Sequence, residues 1–114
     1  MFHKRLNNLG WSDAERDKLD AELVAEYSKA LALDPNLLPA LKGRALAFFH
    51  LKQLDKAIAD YDRILSLDSR DWASYHDRGL AKMQLSRDYS AISDFDAAIK
   101  IKPRDRQHTR VQTH

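Results

Sequence analysis

The chain has no cysteine, only three glycines and three prolines, and no long apolar run in its 114 residues. The missing cysteine excludes disulfides, thiolate metal sites, cysteine nucleophiles and lipid anchors on cysteine. Scarce turn residues favour helices over short strands. Neither sign of charge dominates: nineteen Lys and Arg face seventeen Asp and Glu, for a formal charge of +2. A protein that neutralises many phosphates carries a larger surplus, so nucleic acid is not an expected partner. No stretch reaches the length needed to span a bilayer. The basic His3-Lys4-Arg5 is followed by Leu6-Asn7-Asn8-Leu9-Gly10, which is no signal-peptide core. A cytoplasmic protein without a membrane role is expected. No glycine-rich phosphate cradle, paired zinc-protease histidines or nucleophile elbow is present. The sequence therefore predicts no enzyme, cofactor or metal site.

What remains is a mix of 44% hydrophobic and 32% charged residues, suited to one folded domain. Its organisation is an internal repeat. Leu23 to Pro35, Ala57 to Ser69 and Ala91 to Pro103 align at a spacing of 34 residues. Aromatics recur at Tyr27, Tyr61 and Phe95, and aliphatics at Leu31, Leu65 and Ile99 and again at Leu33, Leu67 and Ile101. Asp60-Tyr61-Asp62 is matched by Asp94-Phe95-Asp96. Each segment has helical period: Ile58, Tyr61, Ile64, Leu65 and Leu67 form an apolar stripe. Asp55 and Asp88 are read as the N-caps of the second and third segments.

A further helix precedes each of the last two segments, over 39–51 and 72–85. Pro39 suits a first turn, where its missing N–H has no helical partner. Gly79 costs a helix about 1 kcal/mol relative to alanine, which makes sense where another helix crosses closely. Its counterpart Ala45 is also small, as are Ala57 and Ala91 on the second helices. The unit is thus helix, turn, helix, and stacking joins the stripes into one core.

This pattern resembles the tetratricopeptide repeat. The family's small residues map to Ala45 and Ala57, then to Gly79 and Ala91, and its later aromatic, alanine and proline to Tyr61, Ile64 and Ser69, then to Phe95, Ala98 and Pro103. The resemblance implies an all-α superhelix of antiparallel helix pairs in a single domain over 1–114. Within it, 1–37 would be an atypical cap plus a partial repeat, 38–71 and 72–105 two repeats, and 106–114 a polar tail or short capping helix that Asp105 starts. In the first unit Leu23 replaces the usual alanine, which loosens packing there. Ser12-Asp13-Ala14-Glu15 reads as a capping box for one long helix over 13–33, with Trp11 against its start. The alternative is an additional short helix over Lys4 to Leu9.

In this family the first helices line a concave groove that commonly receives a peptide or helix. The matching positions here are Lys42, Leu46, Phe49 and His50, then His76, Asp77, Leu80, Met83 and Gln84. They imply an apolar strip of Leu46, Phe49, Leu80 and Met83 edged by Lys42 and the histidines, fit for an amphipathic segment. The alternative reading packs Phe49 and Met83 between helices. Some members grip a peptide's C-terminal carboxylate with lysine and asparagine, but here Leu46 and Asp77 stand at the asparagine positions, and Asp77 repels a carboxylate. His50 and His76 lie on neighbouring first helices with only Asp77 as a third donor, too few for a metal site. Asp60, Asp62, Asp94 and Asp96 read as solvated faces near Arg63 and Lys100. Lys100, Lys102, Arg104, Arg106 and Arg110 read as a solubilising end. The expected function is a non-catalytic protein-interaction scaffold. The alternative is a structural unit whose incomplete ends stack between copies into a homo-oligomer.

Overall fold

The structure, a computed structural model, describes residues 12–102. Five helices follow one another: α1 (Asp13–Leu33), α2 (Leu38–His50), α3 (Leu54–Leu67), α4 (Trp72–Gln84) and α5 (Asp88–Ile101). Each packs on its neighbours in the chain, which produces a stack of antiparallel hairpins. The readings placed on Lys4 to Leu9, Trp11 and the segment after Asp105 lie outside the described residues.

Helix α1 begins as its sequence predicts. Ser12 Oγ accepts the Glu15 amide at 3.2 Å, and the Ser12 amide donates to Glu15 Oε1 at 2.8 Å. Two orphan amides are thereby satisfied. Pro39 lies in the first turn of α2. Asp55 and Asp88 do not cap. Gln53 and Arg87 hold the N-cap positions of α3 and α5 without side-chain capping bonds, and the two aspartates lie inside the first turn. There they still oppose the positive pole of the helix.

The turns also repeat. After α2, the Gln53 amide donates to the Phe48 carbonyl and the Lys52 amide to the Phe49 carbonyl; after α4, Arg87 and Ser86 donate to Lys82 and Met83. This is a Schellman closure. It requires a left-handed residue, and Lys52 and Ser86 both have φ of 63°. The opposite turns use aspartate: Asp34 Oδ1 accepts the Asn36 amide and Asp68 Oδ1 the Arg70 amide, each at 3.1 Å. Such Asx turns let the chain leave one helix and start the next without glycine.

The small residues sit where helices cross. Ala45, Ala57 and Ala91 are wholly buried. Gly79 is buried too, and a Cβ there would come within 2.8 Å of Phe95 Cε1. Leu31, Leu41, Phe48, Tyr61 and Ile64 form one apolar cluster, and Leu54, Ile58 and Ala81 a second; Phe49 packs against both. The sequence stripe on α3 is corrected at its end: Leu67, the last residue of the helix, is 39% exposed. Leu23 is half-buried.

The larger correction concerns the acidic set. Asp60 and Asp94 are buried, not solvated. Arg44 on α2 donates from Nε and Nη2 to both oxygens of Asp60, each at 2.8 Å, and from Nη1 to Ser28 on α1 at 3.1 Å. Arg78 on α4 repeats the fork on Asp94 at 2.9 and 2.7 Å and reaches Asp62 on α3 at 2.7 Å. Each arginine therefore ties three consecutive helices. The bidentate geometry uses the planar guanidinium fully. The hydrogen bond to Asp60 outweighs burial and raises the Arg44 pKa; Asp94 and Asp62 do the same for Arg78. Burial pushes Asp94 upward, but Arg78 and Lys82 overcome it and hold the carboxyl below its usual range.

Candidate functional site

The first helices α2 and α4 carry all nine residues singled out by the resemblance. Their surroundings differ. On α2, Leu46 is 46% exposed and half-buried Phe49 joins the core. Leu46 and His50 border a cavity of about 290 Å³ whose far wall is Leu19, Leu23 and Tyr27 of α1. Gly43 of α2 lines the same cavity opposite them, and a Cβ on it would collide with Tyr27. Helix α1 can therefore approach this face closely. Phe49 and His50 also border a more polar cavity of about 430 Å³ with Asp20 and Lys52. His50 Nδ1 lies 3.5 Å from the carboxylate of Asp20, which is 4% exposed.

On α4, Met83 is 51% exposed and Leu80 is half-buried. Lys52 Nζ lies 3.4 Å from Gln84 and 5.9 Å from the Phe49 ring centre, so the turn after α2 meets the end of α4. His76 and Asp77 touch each other at 3.3 Å and border a third cavity, of about 540 Å³, with Trp72, Phe95 and Ile99. The His76 ring stacks obliquely on Phe95 at 5.7 Å. Lys42 is not an isolated cation, since Asp71 holds its ammonium at 3.2 Å. Behind Asp77 sits Tyr61, 3% exposed, whose hydroxyl finds no hydrogen-bond partner among the described residues. Burial raises its pKa, and the negative charges of Asp77 and Asp60 add to the shift.

The nine residues thus lie on two helices, and Leu46, Phe49, His50, His76 and Asp77 border separate cavities rather than a single cleft. Leu46 and His50 look toward α1, and His76 and Asp77 toward α5. Sequence reasoning missed Asp20 and Tyr61, the buried polar groups beneath this face. The apolar stripe and the recurring aromatic position account for the buried ring of Tyr61 but not for its hydroxyl. Among the described residues, no three of His, Asp and Glu are grouped to hold a metal, and no helix is long and apolar enough to cross a membrane.

The chain resembles the tetratricopeptide domain of Arabidopsis OM64, at 26% identity over 89% of this chain and 87% of that one, with a TM-score of 0.72. It also resembles the first such domain of Spaghetti (RPAP3) bound to an HSP90 peptide, SRMEEVD, at 20% identity over 87% and 86% and a TM-score of 0.68. The first such domain of human RPAP3 gives 20% identity over 87% and 85%, with a TM-score of 0.66. No curated protein matches the chain. The family profile described as tetratricopeptide repeat matches residues 52–113, more than half of the sequence. With the 34-residue register, the five stacked helices and this match together, the chain belongs to the tetratricopeptide repeat family.

Proposed function

We propose that the chain is a non-catalytic interaction module that takes an apolar-faced helix or extended segment of a partner protein along α2 and α4. The observation that carries this reading is the exposure of Leu46 and Met83, 46% and 51%, on helices whose other apolar side chains are largely covered. Covering such side chains is favourable by roughly 25 cal/mol per Å². Lys42, His50, His76, Asp77 and Gln84 around them supply a polar rim that fixes orientation. The Spaghetti domain is bound to an HSP90 peptide, but the chemistry proposed here differs. Leu46 and Asp77 offer no amide to a terminal carboxylate, and Lys42 is engaged by Asp71. An internal apolar segment therefore suits this face better than a free C-terminus. The same reading makes the protein a cytoplasmic scaffold with repeats at 38–71 and 72–105, an N-terminal cap and partial repeat over 1–37, and a polar segment over 106–114.

The test is capture of a specific partner by the intact chain, followed by chemical-shift mapping. Leu46→Asp with Met83→Asp, both half-exposed sites, is expected to lose the partner while keeping the melting temperature. Retention of the partner by that variant, or shifts confined to other helices, would sink the assignment. The peptide SRMEEVD is expected not to bind at concentrations where the partner does. The homo-oligomer alternative has one observation in its favour: Ile92 and Ile99 on α5 are 54% and 72% exposed.

A further inference from the structure

Three carboxylates are buried among the described residues: Asp20, Asp60 and Asp94. Two of them hold a guanidinium across helices. Arg44 forks onto Asp60 and Arg78 onto Asp94, and arginine does not give up its charge in a protein. Asp20 of α1 has no such partner. Among the described residues, the one basic group within ion-pair distance of it is His50, at the end of α2, with Nδ1 3.5 Å from Asp20 Oδ2. Both atoms are buried, and neither makes a hydrogen bond. Without a proton on Nδ1, two acceptors face each other across the α1–α2 joint; with one, both are satisfied. The His50 side chain is 34% exposed, so solvent can deliver that proton. Asp13, Arg16 and Asp17 of α1 and Lys52 of the following turn border the same cavities, and no charged residue of α3 does. These two acids offset these two bases, and all four keep their charge through neutral pH.

We infer that His50 and Asp20 form a pH-sensitive latch that holds the first half of α1 on α2, closed when the imidazole is charged and loosened as it loses its proton. A neutral ring offering Nδ1–H still reaches the carboxylate, but without the charge that offsets a buried anion. The latch is complete on the acid side of the range in which histidine ordinarily titrates, and it is lost as pH rises through neutrality. The second half of α1 is held separately, by Arg44 on Ser28 at 3.1 Å. Loosening is therefore confined to the turns around Asp20. The joints tied by Arg44 on Asp60 and by Arg78 on Asp94 do not respond in this range. With Leu46 and Met83 read as a partner face, the latch regulates one end of that face. A docked α1 supplies the wall of Leu19, Leu23 and Tyr27 across the cavity from Leu46 and His50, and a loosened α1 withdraws it. That consequence rests on the proposed function; the latch itself does not.

The test is amide hydrogen exchange of the intact chain, free of any partner, between about pH 6 and about pH 8, where histidines are the side chains that change charge. After correction for the intrinsic exchange rate, protection in the turns of α1 around Asp20 is expected to fall about threefold or more across that range, the scale of a partly exposed ion pair. Protection in α5 is expected to stay level. Asp20→Asn and His50→Gln are each expected to flatten the response of α1. Both replacements keep size and hydrogen-bonding capacity, and if one of them fails to fold the other gives the same reading. His76→Gln removes the other described histidine, which pairs with Asp77 on α4, and is expected to leave the response of α1 intact. Level exchange of α1 in the wild-type chain would overturn the inference. So would protection that rises with pH, an undiminished response in D20N or H50Q, or a response abolished by H76Q. A pH response of α1 supports the latch even if no partner takes the Leu46–Met83 face, and its absence removes the latch even if one does.

Discussion

The two full repeats share a register, yet they are held in different ways. In 38–71 the buried apolar set includes Leu41, Phe48, Ile58, Tyr61, Ile64 and Leu65. In 72–105, among the described residues, it comes down to Ala81, Ala91 and Ala98. The sequences do not differ enough to explain this: Ile92 and Ile99 are as apolar as Ile58 and Leu65. The difference is the neighbour. Helix α3 lies between α2 and α4, whereas among the described residues α5 packs mainly on α4. Burial in a linear stack therefore belongs to the interface between units, not to the unit. The later repeat relies more on charge. Its Asp94 takes both Arg78 and Lys82, at 2.7 and 3.0 Å, where Asp60 has Arg44 as its ion-pair partner.

The strongest way to break this contrast is Arg44→Ala. It leaves a buried carboxylate unpaired, and losing one partner of a buried pair costs about 3–5 kcal/mol. Arg78→Ala is expected to cost less, because Lys82 still reaches Asp94. Urea unfolding of the two variants would show the order. Next comes truncation at equivalent sites. Leu65→Ala is expected to destabilise by about 2–5 kcal/mol, and Ile99→Ala by no more than about 0.5 kcal/mol. Equal losses would mean that α5 is covered in solution.

Acid sharpens the comparison further. The folded pKa of Asp94 lies below its ordinary value, so the unfolded chain binds that proton more readily. The stabilisation is complete above the ordinary carboxylate range, about pH 4, and is lost as pH falls through the lowered value. Amide exchange in α5 is expected to accelerate in that window, and the acceleration should be blunted in Asp94→Asn. The smallest expected effect is a gain. Ser86→Gly and Lys52→Gly relieve a left-handed residue that carries a Cβ, for up to about 1 kcal/mol each. Both should raise the melting temperature slightly.

Much of this was legible in the residues. The 34-residue register, the bounds of α1 and the close crossing at Gly79 follow from periodicity, a capping box and residue size. The caps of α3 and α5 were misplaced because an aspartate in the first turn and one at the cap look alike in sequence; only backbone geometry separates them. The closing turns were hidden because Lys52 and Ser86 stand where glycine is the usual signal. The burial of Asp60 and Asp94 was missed because each was read with its neighbour two residues on. The available clue was Arg44 and Arg78, which keep the same 34-residue step and lie sixteen residues before those acids. For the candidate site, the helices were identifiable, but the cavities were not. Whether Leu46 faces water depends on where α1 lies, and no local pattern encodes that.

The reach of Arg78 to Asp62 and Asp94 has a mechanical corollary. A pulling force or thermal fluctuation that peels the final hairpin from the stack must release the grip on α3 at the same moment. Unravelling then proceeds in whole notches, one guanidinium at a time, and a cut placed between residues 71 and 72 for swapping modules severs such a clasp.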